Sequence, residues 1–138
     1  SMIKHTKKYN VNVPSWETIL DNLNWSIQNK KIVKHKCPGF LISHQAKRIK
    51  EVKPVLKKLN LDDAHLYINL CEGDTMGRHW DGVDVYFWQV KGISNWIFDD
   101  RKIKLNAGDL LYIPKKTWHG VEAKGPRAGI SMSVDYKL

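Results

Sequence analysis

Three side chains in the second half of the chain have the types and the spacing for a metal site. His79 and Asp81 lie two apart in Gly77-Arg78-His79-Trp80-Asp81. On an extended segment, residues two apart project to one face, so an imidazole and a carboxylate converge while Trp80 points away. His119 follows 38 residues after Asp81, behind Gly108-Asp109-Leu110-Leu111-Tyr112-Ile113-Pro114, and supplies a second imidazole. Two imidazoles and one carboxylate leave three adjacent positions open on an octahedral ferrous ion, which oxygen activation with a chelating co-substrate requires. The same donors also suit zinc and hydrolytic chemistry. His5, His35, His44 and His65 are read as lacking a same-face carboxylate at short spacing, and as surface or structural residues.

These three side chains need a scaffold that brings distant segments together. From Ala64 onward the apolar period changes from about 3.6 to 2. Short runs rich in β-branched and aromatic residues follow one another: Ala64 to Cys71, Met76 to Asp81, Val83 to Val90, Ser94 to Phe98, Ile103 to Leu105, Leu110 to Ile113, Trp118 to Ala123 and Ala128 to Tyr136. Turn chemistry separates them, as in Glu72-Gly73-Asp74, Lys91-Gly92 and Asn106-Ala107-Gly108-Asp109. Many short strands with alternating residues predict a small barrel or jelly roll, whose two sheets enclose a cavity. The first half reads differently. A helix opens at Ser15 behind Pro14, with Trp16, Ile19, Leu20 and Leu23 on one face. A second helical stretch runs from Gln45 to Leu59, carrying a stripe of Ile49, Val52, Leu56 and Leu59 that Pro54 interrupts. The expected architecture is one mainly β domain over residues 1–138: a double-stranded β-helix from residue 64, under a helical, Lys-rich cover from 1 to 63.

The joint pattern resembles a known family. His79-Trp80-Asp81 leads into Asp84-Val85-Tyr86-Phe87-Trp88-Gln89-Val90-Lys91-Gly92 and then Trp96; later come Gly108 to Pro114, His119 and Ile130-Ser131-Met132-Ser133. Over roughly residues 64 to 136 this is similar to the cupin-like Jumonji-C family of Fe(II)- and 2-oxoglutarate-dependent oxygenases, in particular its ribosomal-oxygenase branch. The resemblance implies His79, Asp81 and His119 as iron ligands and 2-oxoglutarate as co-substrate. It also implies Tyr67, twelve residues before His79, as a contact of 2-oxoglutarate; Phe87 shares the parity of the metal ligands and would line the same pocket. Many members carry a Lys fifteen residues after the first His to hold the far carboxylate of 2-oxoglutarate. Here that position is Ser94. Arg127 with Ser131 four residues on resembles the Arg-then-hydroxyl pattern of other 2-oxoglutarate oxygenases, and is the preferred replacement, with Lys91 a weaker one. The implied reaction is hydroxylation of a protein or peptide side chain. The dimerisation and winged-helix regions of the ribosomal branch are not expected in a chain of this length. A metal-dependent cupin enzyme that does without 2-oxoglutarate is the competing enzymatic reading.

Composition narrows the remaining classes. At 138 residues, with 42% hydrophobic and 27% charged residues and six Trp, the chain has the apolar mass for one packed core, which excludes disorder. No apolar run approaches the roughly 18 residues of a membrane span. Two cysteines, Cys37 and Cys71, are too few for a disulfide scaffold and fit a reducing, cytoplasmic compartment, with Cys71 expected as a buried hydrophobe. The net charge of +9 is unevenly distributed. Residues 1–60 hold 13 Lys and Arg against the acids Glu17, Asp21 and Glu51, a net of +10 from 13 − 3, and the remainder is close to neutral. This half would steer an acidic or ribosomal partner. A third reading therefore makes the chain a basic nucleic-acid or ribonucleoprotein module on a jelly-roll scaffold, with affinity that falls steeply with salt.

Overall fold

Alternation along the later strands gives each one two usable faces, and the chain uses both. The computed structural model describes residues 2–135. Along them run β1 (Lys4–Thr6), α1 (Trp16–Gln28), β2 (Ile32–Lys34), β3 (Phe40–Ser43), a single 3-10 turn at Ala46–Arg48, α2 (Val52–Leu59) and β4 (Asp63–Asn69). Then follow β5 (Gly73–Asp74), β6 (Val85–Lys91), β7 (Ser94–Phe98), β8 (Lys102–Leu105), β9 (Leu110–Ile113), β10 (His119–Ala123) and β11 (Arg127–Ser133). Seven strands form one antiparallel sheet in the order β1-β9-β6-β11-β4-β3-β2, and four form a second in the order β5-β10-β7-β8. This is the jelly roll that the alternation predicts.

The large sheet separates two apolar clusters. One face of β4, β6 and β11 carries Leu66, Ile68, Trp88, Val90, Ile130 and Met132, which pack with Ile19 of α1, Val52 and Val55 of α2, and Ile49. The other face carries Phe87 and meets Trp96 and Phe98 of the small sheet, with Leu111 and Ile113 beside them. Gly129 of β11 lets this second face close: a Cβ there would sit 2.2 Å from Phe87 Cζ.

Local chemistry explains the helices. Ser15 caps α1 in an extended conformation, its Oγ accepting a hydrogen bond from Thr18 N at 3.1 Å. The helix buries Ile19, Asn22, Leu23 and Ser26. Trp16 and Leu20, expected on the core face, are exposed instead. The reason is a polar contact that sets the rotation of α1. Ser26 Oγ lies 2.6 Å from Ser43 Oγ, Ser43 Oγ donates to Asn22 Oδ1 at 3.2 Å, and Asn22 Nδ2 donates to the Gln45 carbonyl at 3.0 Å. The stretch from Gln45 to Leu59 is likewise two elements, not one kinked helix. The 3-10 turn ends at Arg48, and α2 restarts with Pro54 in its first turn, where a missing N–H costs nothing. α2 ends at Asn60 in the left-handed conformation, φ 58°.

Other expectations need correction. The first 63 residues are not only a helical cover, because β1, β2 and β3 all join the large sheet, pairing with β9, with one another and with β4. Glu72-Gly73-Asp74 is not a plain turn, since Gly73 and Asp74 pair with Ala123 and Glu122 of β10. Met76 to Asp81 is not a strand, and holds a single bridge between His79 and His119. The last strand stops at Ser133; Tyr136 lies outside the described residues. Cys71 is exposed, not buried. No helix among the described residues is long and apolar enough to cross a membrane. Among those residues, none of the 13 basic side chains of the first 60 takes part in an ion pair with a carboxylate.

Candidate metal centre

His79 and His119 meet because their backbones pair. His79 N donates to His119 O at 2.9 Å, and His119 N donates to His79 O at 2.8 Å. One residue pair thus ties the loop after β5 to the start of β10. Asp81 is held nearby by its carbonyl, which accepts from Lys116 N at 2.8 Å. Gly77 turns the loop with φ 83°.

Each imidazole has its tautomer set in the same way. His79 Nδ1 donates to the Gly77 carbonyl at 2.9 Å and His119 Nδ1 to the Thr117 carbonyl at 2.8 Å, in both cases two residues upstream. A carbonyl can only accept, so the proton stays on Nδ1 and Nε2 presents its lone pair. Both Nε2 atoms face Asp81, at 3.9 Å from His79 to Oδ1 and 3.6 Å from His119 to Oδ2. The potential ligand atoms of the three residues all lie within 4.8 Å of one another. Metal bonds of about 2.0–2.2 Å put neighbouring donors roughly 3–3.5 Å apart, so a small contraction suffices to hold a divalent ion. His119 is 3% exposed, and burial lowers its pKa, which keeps the imidazole neutral and able to ligate.

The cluster sits at the mouth of a narrow cavity between the sheets, about 380 Å³ only when the open solvent at its mouth is included. Tyr67, Phe87, Arg127 and Ser131 line it together with His79, Asp81 and His119. Sequence reasoning had named all seven. Arg127 is 1% exposed and donates from Nε to Asn69 Oδ1 at 2.7 Å; its Nη1 is buried with no hydrogen-bond partner, and the guanidinium lies 5.6 Å from the Phe87 ring and 5.9 Å from the Phe40 ring. An unpaired guanidinium N–H inside a cavity costs free energy unless an anion enters. Burial lowers the Arg127 pKa to about 10, with Tyr67 opposing the shift. Burial pushes the Tyr67 hydroxyl up to about 12, Asp81 adds to the rise, and Arg127 and Ser131 oppose it. At neutral pH both therefore stand as hydrogen-bond donors. Gly92 brings the β6–β7 turn against the backbone of Arg127. With φ 71°, its absent Cβ would lie 2.2 Å from Pro126 O and 2.9 Å from Arg127 Cα.

Ser94 does not join this group. Its hydroxyl donates to Gln89 Oε1 at 3.0 Å and accepts from Trp96 Nε1 at 3.1 Å, so it is buried outside the cavity lining. Through that contact it holds Trp96, whose indole stacks on the His119 ring at 5.5 Å between centroids and 28° between planes. Lys91, at the end of β6, does not line the cavity. Trp96, Thr75, Val121 and Asn69 were missed as parts of the site. Trp96 was visible in the motif, but only its stacking on His119 gives it a role. Trp88 faces the helices, away from the cavity, whereas Trp80 and Trp118 are 45% and 40% exposed beside the ligands, with ring centroids 6.5 Å apart. His65 does have a same-face carboxylate: its Nε2 donates to Asp63 Oδ2 at 2.9 Å. His5 is held by Asp109, also at 2.9 Å. Neither pair approaches the cavity.

Two packed antiparallel sheets with a His/Asp/His cluster between them define a jelly roll with a candidate metal site. The cupin-domain family matches residues 66–134, half of the sequence, and the chain belongs to that family. No curated protein matches the sequence. Among solved structures, the chain is similar to the Escherichia coli ribosomal oxygenase YcfD in complex with cobalt and 2-oxoglutarate, at TM-score 0.77 and 17% identity, covering 100% of this chain and 49% of that one. A second structure of YcfD matches at TM-score 0.61 and 19% identity, covering 72% of this chain and 32% of that one. A cupin superfamily protein from Desulfitobacterium hafniense DCB-2 matches at TM-score 0.58 and 16% identity, covering 94% and 97%. The chain thus spans no more than about half the length of the ribosomal oxygenases it resembles, and at these identities the likeness concerns the fold.

Proposed function

We propose that the chain is an Fe(II)- and 2-oxoglutarate-dependent oxygenase of the Jumonji-C type, acting on a protein or peptide side chain. The observation that carries this reading is Arg127, buried in the lining of the cavity that the His/Asp/His cluster opens onto, with no carboxylate partner and with an Nη1 that has no hydrogen-bond partner. A dicarboxylate co-substrate needs a cation when it leaves water, and a buried guanidinium in the lining beside the metal ligands supplies one. Likeness to a ribosomal oxygenase that binds cobalt and 2-oxoglutarate supports the same class.

In this reading His79, Asp81 and His119 hold the metal through Nε2, a carboxylate oxygen and Nε2. Iron(II) with 2-oxoglutarate supplies, when bound, oxygen activation and hydroxylation of a nearby C–H bond. The chain's own residues do the positioning. Arg127, oriented by Asn69, pairs with the far carboxylate of the co-substrate, and the hydroxyls of Tyr67 and Ser131 hydrogen-bond it. Phe87 and Trp96 exclude water from the interior. Asp81 and His79, the more exposed ligands, mark the side from which the substrate arrives, past Trp80 and Trp118.

Succinate release that requires both iron and 2-oxoglutarate, and that stops in His79→Ala, is the expected result. No succinate from fully metal-loaded protein, over a range of candidate peptides, overturns the reading. Calorimetry of the manganese-loaded protein with N-oxalylglycine separates it from a cupin enzyme that uses the metal alone, which would show no binding.

A further inference from the structure

Helix α1 shows apolar residues to both sides, and the outer side has no partner. Its inward face is set by the Ser26, Ser43, Asn22 and Gln45 contacts described above, and a buried, satisfied polar network of this kind holds the helix in one rotation. Trp16, Leu20 and Ile27 are left 38%, 49% and 52% exposed. They fall within about 40° of one another around the helix. With Leu23, at the edge of the core, they are spaced four, three and four apart, the seam spacing of two helices that pack side by side.

Charge selects the partner. Glu17 and Asp21, two of the three acids in the first 60 residues, lie in the first half of α1, and Lys30 and Lys31 follow directly after its end. All four are exposed, and none is in an ion pair among the described residues. A parallel pair of α1 helices would set each acid near its twin. An antiparallel pair sets Glu17 and Asp21 of one copy near Lys30 and Lys31 of the other, twice by symmetry, and opposes the two helix dipoles favourably. We propose that α1 is a self-association surface through which two copies of this chain pair antiparallel, Trp16, Leu20 and Ile27 forming the apolar seam and Glu17, Asp21, Lys30 and Lys31 its charged ends.

One helix face is small for an interface, so the dimer is weak and concentration-dependent. It is independent of the metal centre, which lies beyond the other face of the large sheet. The test is sedimentation equilibrium of the 138-residue chain from low micromolar to millimolar concentration. The expected result is a monomer–dimer equilibrium with a dissociation constant in the micromolar range. Leu20→Glu raises that constant roughly tenfold or more while leaving the circular dichroism spectrum and thermal midpoint intact, because Leu20 is a surface residue. Reversing Glu17 and Asp21 to Lys weakens the dimer several-fold, and adding Lys30→Glu and Lys31→Glu to that variant restores it. A chain that stays monomeric to millimolar concentration overturns the proposal. So does a dimer indifferent to Leu20→Glu, or a combined charge swap that fails to restore affinity.

Discussion

The two faces of the large sheet are built from the same strands and do opposite things. On β11, Ala128, Ile130 and Met132 turn toward the helices, while Arg127 and Ser131 turn toward the small sheet, with Gly129 making room between them. On β6, Trp88 and Val90 go one way and Phe87 the other. The helix side is filled mainly by apolar side chains, the cheapest way to bury area, with Trp88 Nε1 as a buried N–H that has no hydrogen-bond partner. The inter-sheet side buries a guanidinium with an unpaired N–H, raises a tyrosine pKa to about 12 and keeps a cavity. Two neighbouring residues on one strand can thus serve stability and chemistry separately, because the pleat sends them to opposite sides.

Breaking the helix side should cost the most. Ile130→Ala, at a position with no exposure, is expected to lower unfolding free energy by about 2–5 kcal/mol in urea titration. Manganese affinity of the variant that remains folded should be unchanged. On the cavity side, His119→Ala should weaken manganese binding about a hundredfold or more by calorimetry, with the β-sheet dichroism signal retained. A collapse of the fold in that variant would show that the two faces are not separable.

Arg127→Met gives the sharpest contrast, since ligand binding should be lost while the fold is kept. N-oxalylglycine binding to the manganese form should be lost. Stability should change by no more than about 1–3 kcal/mol, because relief of a buried charge without a carboxylate partner is set against the loss of the hydrogen bond from Nε to the buried Asn69 Oδ1. Loss of both binding and stability would mean that the guanidinium holds the fold together.

The smallest effect lies at the rim, where Asp109 belongs to neither face. Burial pushes its carboxyl up, but hydrogen bonds from His5 and from the backbone N–H of Asn106 and Lys8 outweigh this and hold the pKa below the usual carboxylate range. With the folded pKa depressed, this stabilisation is complete above the unfolded value of about 3.9 and is lost as pH falls through the folded one. Melting curves between pH 5 and pH 2 should therefore fall more steeply for the native chain than for Asp109→Asn. Equal slopes would count against this anchor of β1.

Where neighbouring residues decide the outcome, the sequence was readable. Ser94 to Phe98 and Leu110 to Ile113 are strands with the expected bounds, and Ser15 caps α1. β1, β2 and β3 were not legible, because three or four residues carry no period and owe their conformation to partners far along the chain. The approach of His79 to Asp81 has another origin than the pleat of a strand. His79 and Asp81 converge from a loop pinned at one bridge, not from a strand. The inward face of α1 was misread because apolar spacing cannot reveal that Ser43 and the Gln45 carbonyl wait beneath it to take Asn22 and Ser26.

By itself the order of residues determined the jelly roll, its cupin membership and the three side chains with donor atoms for a metal, since side-chain type and local period carry that information. Only the tertiary structure decided that Arg127 is buried with a free N–H, that Ser94 supports Trp96 and not a cofactor, and that Trp16 and Leu20 face outward. Each of these depends on what lies across a gap between segments distant in sequence, and burial, pairing and desolvation have no local signature.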